Sequence, residues 1–222
     1  VWLGRRAGFF MKVYRLGKTQ GKVLTSTVVC LGVFDGVHLG HKALIDRAVY
    51  IAQKEGLTAV VHTYDRLPGT LISPHRQHIE LTPLADKLDL LEALGIHHVA
   101  VSIFNETLQH MSGADFFRKV LQEQLKARHL VAGFNHRFGF RGDTDISGLE
   151  TLCKQVGIGL SVIAPVQTAH GNLVSSSAVR TALLQGDEDL AGEMLGRPVD
   201  QALRSRIAPY LVTDANRHTT EV

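Results

Sequence analysis

The stretch Val28-Val29-Cys30-Leu31-Gly32-Val33-Phe34-Asp35-Gly36-Val37-His38-Leu39-Gly40-His41 reads as a buried strand, a turn at Asp35-Gly36, and two histidines at the start of a helix. With 12 His and 21 Gly in 222 residues, His-x-Gly-His should arise by chance in roughly 0.06 chains of this composition, so its placement at a strand-to-helix junction carries information. Histidines spaced i, i+3 share one helix face, here at the positive end of the helix dipole, where backbone N–H groups favour an anion. Gly40 is expected to leave room for a phosphate against the backbone. The plainer alternatives are a polar helix cap or part of a metal site, and a zinc site would need a third ligand that the spacing does not nominate. No Gly-x-x-x-x-Gly-Lys-Ser/Thr loop occurs, and Gly32 and Gly36 do not make Gly-x-Gly-x-x-Gly.

Working outward, short Val- and Ile-rich runs alternate with helical segments. Strands are predicted at 27–33, 58–64, 98–103, 129–134 and 159–165, and helices at 39–55, 82–94 (Thr82 as N-cap, Pro83 at N1), 112–126 and 147–156. Gly56, Gly95 and Gly157 stand where helices should end. This alternation predicts an α/β fold, a Rossmann-like doubly wound parallel sheet of five strands with flanking helices, whose ligands bind beyond the carboxyl ends of the strands. Two more helices are expected at 176–185 and 187–195, before Gly196-Arg197-Pro198 breaks the pattern. The tail beyond shows no strand series.

After the fifth predicted strand, Val174-Ser175-Ser176-Ser177-Ala178-Val179-Arg180 places three hydroxyls and an arginine at a helix start. One serine is an ordinary cap; three with Arg180 make a second anion-binding element, suited to the β- and γ-phosphates of a nucleotide. Two phosphate cradles imply a nucleoside triphosphate.

Composition narrows the class. With 45% hydrophobic and 20% charged residues, the chain is globular and large enough for one sizeable domain. The net charge of +3 is local: residues 1–22 hold Arg5, Arg6, Lys12, Arg15, Lys18 and Lys22 and no acid, leaving 18 bases against 21 acids elsewhere. That is no footprint for nucleic acid. Cys30 and Cys153 are far apart in apolar stretches, which suits buried thiols rather than a disulfide framework. No apolar run reaches the ~18 residues of a spanning helix, and residues 1–10 lack a signal-peptide core. The expectation is a cytoplasmic protein without membrane or nucleic-acid partners, starting at Val1 or Met11. The other ten histidines, His75, His78, His97, His98 and His110 among them, are expected at the surface or in loops.

The two motifs together resemble the nucleotidyltransferase superfamily, its His-x-Gly-His fold, and more closely the FMN adenylyltransferase (FAD synthetase) module of the bacterial bifunctional riboflavin kinase/FAD synthetase family. The resemblance also runs through Leu81-Thr82-Pro83, Gly133-Phe134-Asn135-His136-Arg137-Phe138-Gly139 and Leu195-Gly196-Arg197-Pro198. It divides the chain into a basic N-terminal extension (1–23), an adenylyltransferase-like domain (24–198) and a C-terminal tail (199–222). It implies that His38 and His41 stabilise the transferring α-phosphate, that Gly32, Val33, Phe34 and Asp35 line the ATP site, and that Ser176, Ser177 and Arg180 contact the triphosphate. Asn135 would help bind nucleotide and Mg²⁺, and Pro68, Phe116 and Phe138 would contact the flavin. For the two phenylalanines, core packing is the common fate.

Three departures stand out. Thr63-Tyr64-Asp65-Arg66-Leu67-Pro68 replaces the family's Thr-Phe-Asp/Glu-Pro-His-Pro, and His136 replaces a Phe or Tyr. The family continues into a riboflavin kinase barrel, whereas 24 residues follow Pro198 and its Pro-Thr-Ala-Asn-type motif is not among them. The implied reaction is FMN + ATP → FAD + pyrophosphate with Mg²⁺, without riboflavin phosphorylation, so that a separate riboflavin kinase would supply FMN. Transfer to another phosphorylated acceptor and a noncatalytic flavin- or nucleotide-binding protein are the alternatives.

Overall fold

All five side chains of β2 (Thr27–Leu31) are buried, Val28 and Cys30 in one apolar cluster and Val29 and Leu31 in another. A strand buried on both faces must lie inside a parallel sheet with helices on either side, and this one does. The computed structural model describes residues 11–16, 25–73 and 78–211. Its sheet holds β1 (Lys12–Leu16), β2, β3 (Thr58–Tyr64), β4 (His98–Ser102), β5 (Ala127–Gly133) and β6 (Gly159–Ile163) in the order β1-β4-β3-β2-β5-β6, every pairing parallel.

The five predicted strands are present with shifted ends, and the sheet has a sixth. Lys12–Leu16, within the segment read as a basic extension, pairs along β4 from Lys12↔His98 to Leu16↔Ser102. Its alternating polar and apolar residues suit an outer strand, exposed at Val13 and half-buried at Tyr14. Arg5, Arg6, Lys18, Lys22 and His75 lie outside the described residues.

Helices α1 (Leu39–Glu55) and α3 (Leu84–Ala93) cover one face, packing Ile45, Ala48, Ile51 and Leu91 on Val28, Val61 and Val99. A short α2 (Gly69–Ile72) and α4 (Glu106–Gln109) lie in the connections. The helix predicted over 112–126 starts as α5 (Gly113–Phe116) and continues as a π-helix (Phe117–Gln124). Apolar residues five apart, Phe116 with Leu121 and Val120 with Leu125, match the wider π turn and stay on the sheet. With α6 (Ile146–Val156) they cover the second face. Gly56, Gly95 and Gly157 take positive φ at the ends of α1, α3 and α6, where L side chains fit poorly.

A third cluster joins α7 (Ser176–Leu184), α8 (Glu188–Leu195) and α9 (Gln201–Ile207) with Ile79 and Leu81. Val199, Leu203 and Ile207 are buried in it, so packing runs on past Pro198 and the first part of the presumed tail is a docked helix. Its apolar positions at 199, 203 and 207 have the spacing of one helical face.

Sequence order runs β2, β3, β4 outward to one side and then returns to β5 and β6 on the other. The reversal lies between β2 and β5, and the loops at their carboxyl ends flank the crevice that such a reversal opens.

Candidate active site

The connection from β2 to α1 is tightly determined. Phe34, Gly36 and Val37 take φ of 55°, 86° and 42°. Gly36 also needs its missing side chain, since a Cβ there would lie 2.9 Å from Leu81 Cδ1. A β-branched residue such as Val37 at positive φ is strained and persists only where its surroundings hold it. Here side chains hold four of the loop carbonyls. Thr63 Oγ1 (2.8 Å) and Lys87 Nζ (3.0 Å) donate to Val33 O, and Ser176 Oγ donates to Asp35 O (2.8 Å). Arg197 donates to Gly36 O (2.8 Å) and Val37 O (3.1 Å).

His38 is the N-cap of α1, and His41 stands three residues on. The His41 N–H donates to His38 Nδ1 and the His38 N–H donates to His41 Nδ1, both at 3.3 Å. This is a capping box built from two imidazoles. The rings stack with centroids 3.7 Å apart and 15° between planes. Both Nδ1 atoms accept, so in each neutral ring the proton lies on Nε2. Burial, and then the charges of Arg197 and Arg180, push His38 down to about 4; burial, His38 and Lys87 hold His41 well below the usual range. The pair therefore presents two neutral N–H donors at a helix N-terminus. Gly40 also suits the pair, because a Cβ there would meet the His38 ring at 3.0 Å. Among the described residues no three His, Cys, Asp or Glu side chains could hold a metal ion.

Asp35 is 2% exposed. Its carboxylate accepts from Thr82 N (2.9 Å) and Leu81 N (3.2 Å) and pairs with Arg180. Arg180 also donates Nε to Ile79 O at 2.7 Å. Asp35 thus ties the loop to the entry of α3 and to α7. Thr82 is not the cap of α3; Pro83 occupies that position, and the buried Thr82 hydroxyl accepts the Gly36 N–H at 2.6 Å. Of the three serines, Ser175 caps α7 through Ala178 N, Ser176 holds Asp35 O, and Ser177 is exposed. Gly32 precedes the loop, where a Cβ would strike the Phe34 ring at 2.8 Å; Phe34 itself is buried and backs the His41 ring at 4.9 Å.

Beside this loop, aromatic rings run across the carboxyl ends of β3, β4 and β5. Phe116 and Phe138 touch at 5.5 Å, and each meets a histidine, His62 for Phe116 and His136 for Phe138. Tyr64 and Phe104 extend the row. Phe116 and Phe138 are buried core members, Pro68 is half-buried at the start of α2, and Asn135 is exposed after β5. In the divergent loop Leu67 is buried, and Asp65 accepts the Phe104 N–H at 2.7 Å. His62 was expected outside the core, yet it is buried in β3 with Nε2 2.8 Å from Ser102 Oγ. His98 and His129 also lie on strands, paired with Tyr14 and Ser161.

Arg197 and Lys87 went unassigned in the sequence. Lys87 carries a readable signal, a lysine on the buried 84-87-88-91 stripe of α3; it is 1% exposed and burial lowers its pKa. Nothing in the spacing around Arg197 points to the loop it holds.

A family model described as FAD synthetase matches residues 20–178. The chain belongs to the FAD synthetase family. It is 35% identical over 172 residues to a bifunctional riboflavin kinase/FMN adenylyltransferase of Listeria monocytogenes, covering 77% of this chain and 54% of that one. A Geobacillus thermodenitrificans protein provisionally given the same description is 30% identical over 189 residues, covering 85% of this chain and 99% of its own length. The chain thus spans about half the length of the first relative and nearly all of the second. Among solved structures, a Streptococcus pneumoniae protein described as a macrolide-efflux protein aligns with a TM-score of 0.72 at 26% identity, over 84% of this chain and 60% of that one. No helix among the described residues is long and apolar enough to cross a membrane.

The histidines give this member of the family an acid limit. Burial holds His38 and His136 at about 4, His62 at about 3, and His41 well below its usual range. The unfolded chain protonates all four near 6.5. Between about pH 6.5 and 4 it therefore binds more protons than the folded chain, and stability falls as pH drops through that window. At pH 5 a histidine held at about 4 or below contributes a loss of roughly 2 kcal/mol, and His41 acts in the same direction, a large share of a typical domain's stability. Thermal unfolding is expected to show a flat Tm above pH 7 and a steep decline below 6.5; an unchanged Tm at pH 5 would contradict the neutral, buried assignment.

Proposed function

We propose that this FAD synthetase family member transfers the adenylyl group of ATP to FMN, giving FAD and pyrophosphate. The observation that carries the reading is the reciprocal cap of His38 and His41, which leaves both Nε2–H donors aimed from a helix N-terminus. In-line attack by an FMN phosphate oxygen on the α-phosphorus expels pyrophosphate and gathers negative charge on the non-bridging oxygens. Preorganised neutral donors stabilise that charge without first losing a proton. Hence the histidines act by hydrogen bonding, and their titration should leave no limb in the rate near pH 6.5.

Around the pair, Gly32–Asp35 form the wall toward ATP, with Ser177 and Asn135 exposed for contacts to phosphate. Ser176 and Arg180 shape the loop through Asp35, and Arg180 adds positive charge for the triphosphate. The donor set does not resemble a cage for a resident ion. Mg²⁺ keeps several waters and binds through substrate phosphates, so it fits here as part of the nucleotide substrate, with the Asn135 amide oxygen the side-chain ligand within this assignment. When bound it would neutralise phosphate charge. The row of Phe116, Phe138, His62 and His136 supports a flavin-facing wall, reached past Pro68. A cytoplasmic setting belongs to the same proposal.

The test mixes purified protein with FMN, ATP and Mg²⁺ and follows flavin fluorescence with chromatography. Conversion to weakly fluorescent FAD is expected. Nucleotide binding without conversion would overturn the reading in favour of another acceptor or a binding protein.

A further inference from the structure

We propose that Arg197 is a positioning residue for adenylyl transfer, fixing the strained turn that presents His38 by bridging the carbonyls of Gly36 and Val37. The inference rests on the reaction proposed above. Its basis is the junction between the end of α8 and the start of α1. Gly196 ends α8 at φ 67°, and a Cβ there would lie 2.5 Å from Leu39 Cδ2, so the chain passes directly against the first residue of α1. Arg197 N then bonds Gly192 O at 3.2 Å, which orients the side chain back toward the loop. Its two terminal nitrogens reach two consecutive carbonyls, Nη2 to Gly36 O at 2.8 Å and Nη1 to Val37 O at 3.1 Å.

Those carbonyls belong to the two residues before His38, both at positive φ. Left to itself, a valine there would relax toward φ < 0. Such relaxation would swing the His38 backbone and break the exchange of N–H bonds with His41. A planar guanidinium fork suits two adjacent acceptors, whereas an ammonium is a point donor. Arg197 also places a cation beside His38. The other charged or titratable groups facing the pair are Arg180 from α7, Lys87 from α3 and the two imidazoles themselves. Because α8 packs on α7, which carries Ser176 and Arg180, one junction sets both the histidine pair and the serine element.

The test compares Arg197→Gln and Arg197→Lys in the full chain. Two readouts are used: steady-state turnover with ATP and FMN, and the pH titration of the His38 imidazole by nitrogen NMR. For Arg197→Gln, kcat should fall 30- to 300-fold while KM for ATP stays within threefold, and the His38 midpoint should rise above its wild-type position near 4. Arg197→Lys keeps a charge but not the fork; its midpoint should stay near wild type while kcat remains at least tenfold low. A glutamine variant with kcat within threefold of wild type, or with an unmoved midpoint, overturns the proposal. So does a lysine variant with full turnover, which also carries the test if the glutamine variant fails to fold. Should the wild type form no FAD, the reaction assignment fails by itself, and the amide resonances of Val37, His38 and His41 still decide whether Arg197 holds the turn: they should move in both variants, and unmoved resonances overturn the proposal.

Discussion

Replacing His38 or His41 by alanine is expected to lower FAD formation by about 10²–10³-fold, the usual effect of removing one preorganised donor from a developing oxyanion. Each ring contributes one Nε2–H, and each also accepts the other residue's backbone N–H at 3.3 Å. The mutation therefore removes a cap as well as a donor. Losing a cap costs about 1 kcal/mol, which lowers Tm by a few degrees and leaves the fold intact. Turnover at saturating ATP and FMN, beside circular dichroism and thermal unfolding, separates the two effects. The double mutant should lose less than the product of the single effects, because the pair acts as a unit. Turnover within tenfold of wild type in both single mutants would remove the histidines from the chemistry.

The largest stability effect of a single substitution is expected at Asp35. Its buried carboxylate accepts two backbone N–H groups and faces the Arg180 guanidinium. Asp35→Ala leaves all three donors without their acceptor, and breaking a buried pair from one side costs about 3–5 kcal/mol. Urea unfolding should show a lower midpoint. Removing Arg180 as well should recover part of the loss, the mark of a coupled pair. Asp35→Asn keeps the shape and one acceptor oxygen, so its cost should be intermediate. A loss below about 1 kcal/mol for Asp35→Ala would mean that the loop is not anchored through this residue.

Much of the fold was legible because buried parallel strands leave unbroken apolar runs, as in Val28–Leu31. β1 was not, since an outer strand lacks that signature and Lys12 and Arg15 resemble a solvated segment. The apolar stripe of α9 is short, and only its burial against α7 and α8 distinguishes it from a tail. In the site, His38 and His41 were legible from spacing, while their tautomers emerge only from the exchange of backbone bonds. Asp35, Ser176 and Arg180 stand where the resemblance places a nucleotide site, yet their described bonds are to one another and to backbone. Such partnerships link residues 141 and 145 positions apart, and no local pattern records them. Arg197 is hidden for the same reason, whereas Lys87 shows as a lysine on the apolar stripe of α3.

The reciprocal cap also constrains how this site can change over generations. A substitution at either histidine withdraws at once an Nε2–H donor, a helix cap and the stacked neighbour of the remaining ring. No single replacement supplies all three, so a change at one position also obliges the other to change. The aromatic row and the Arg66-Leu67 loop carry no such double duty toward the pair: their described bonds and ring contacts are to other residues.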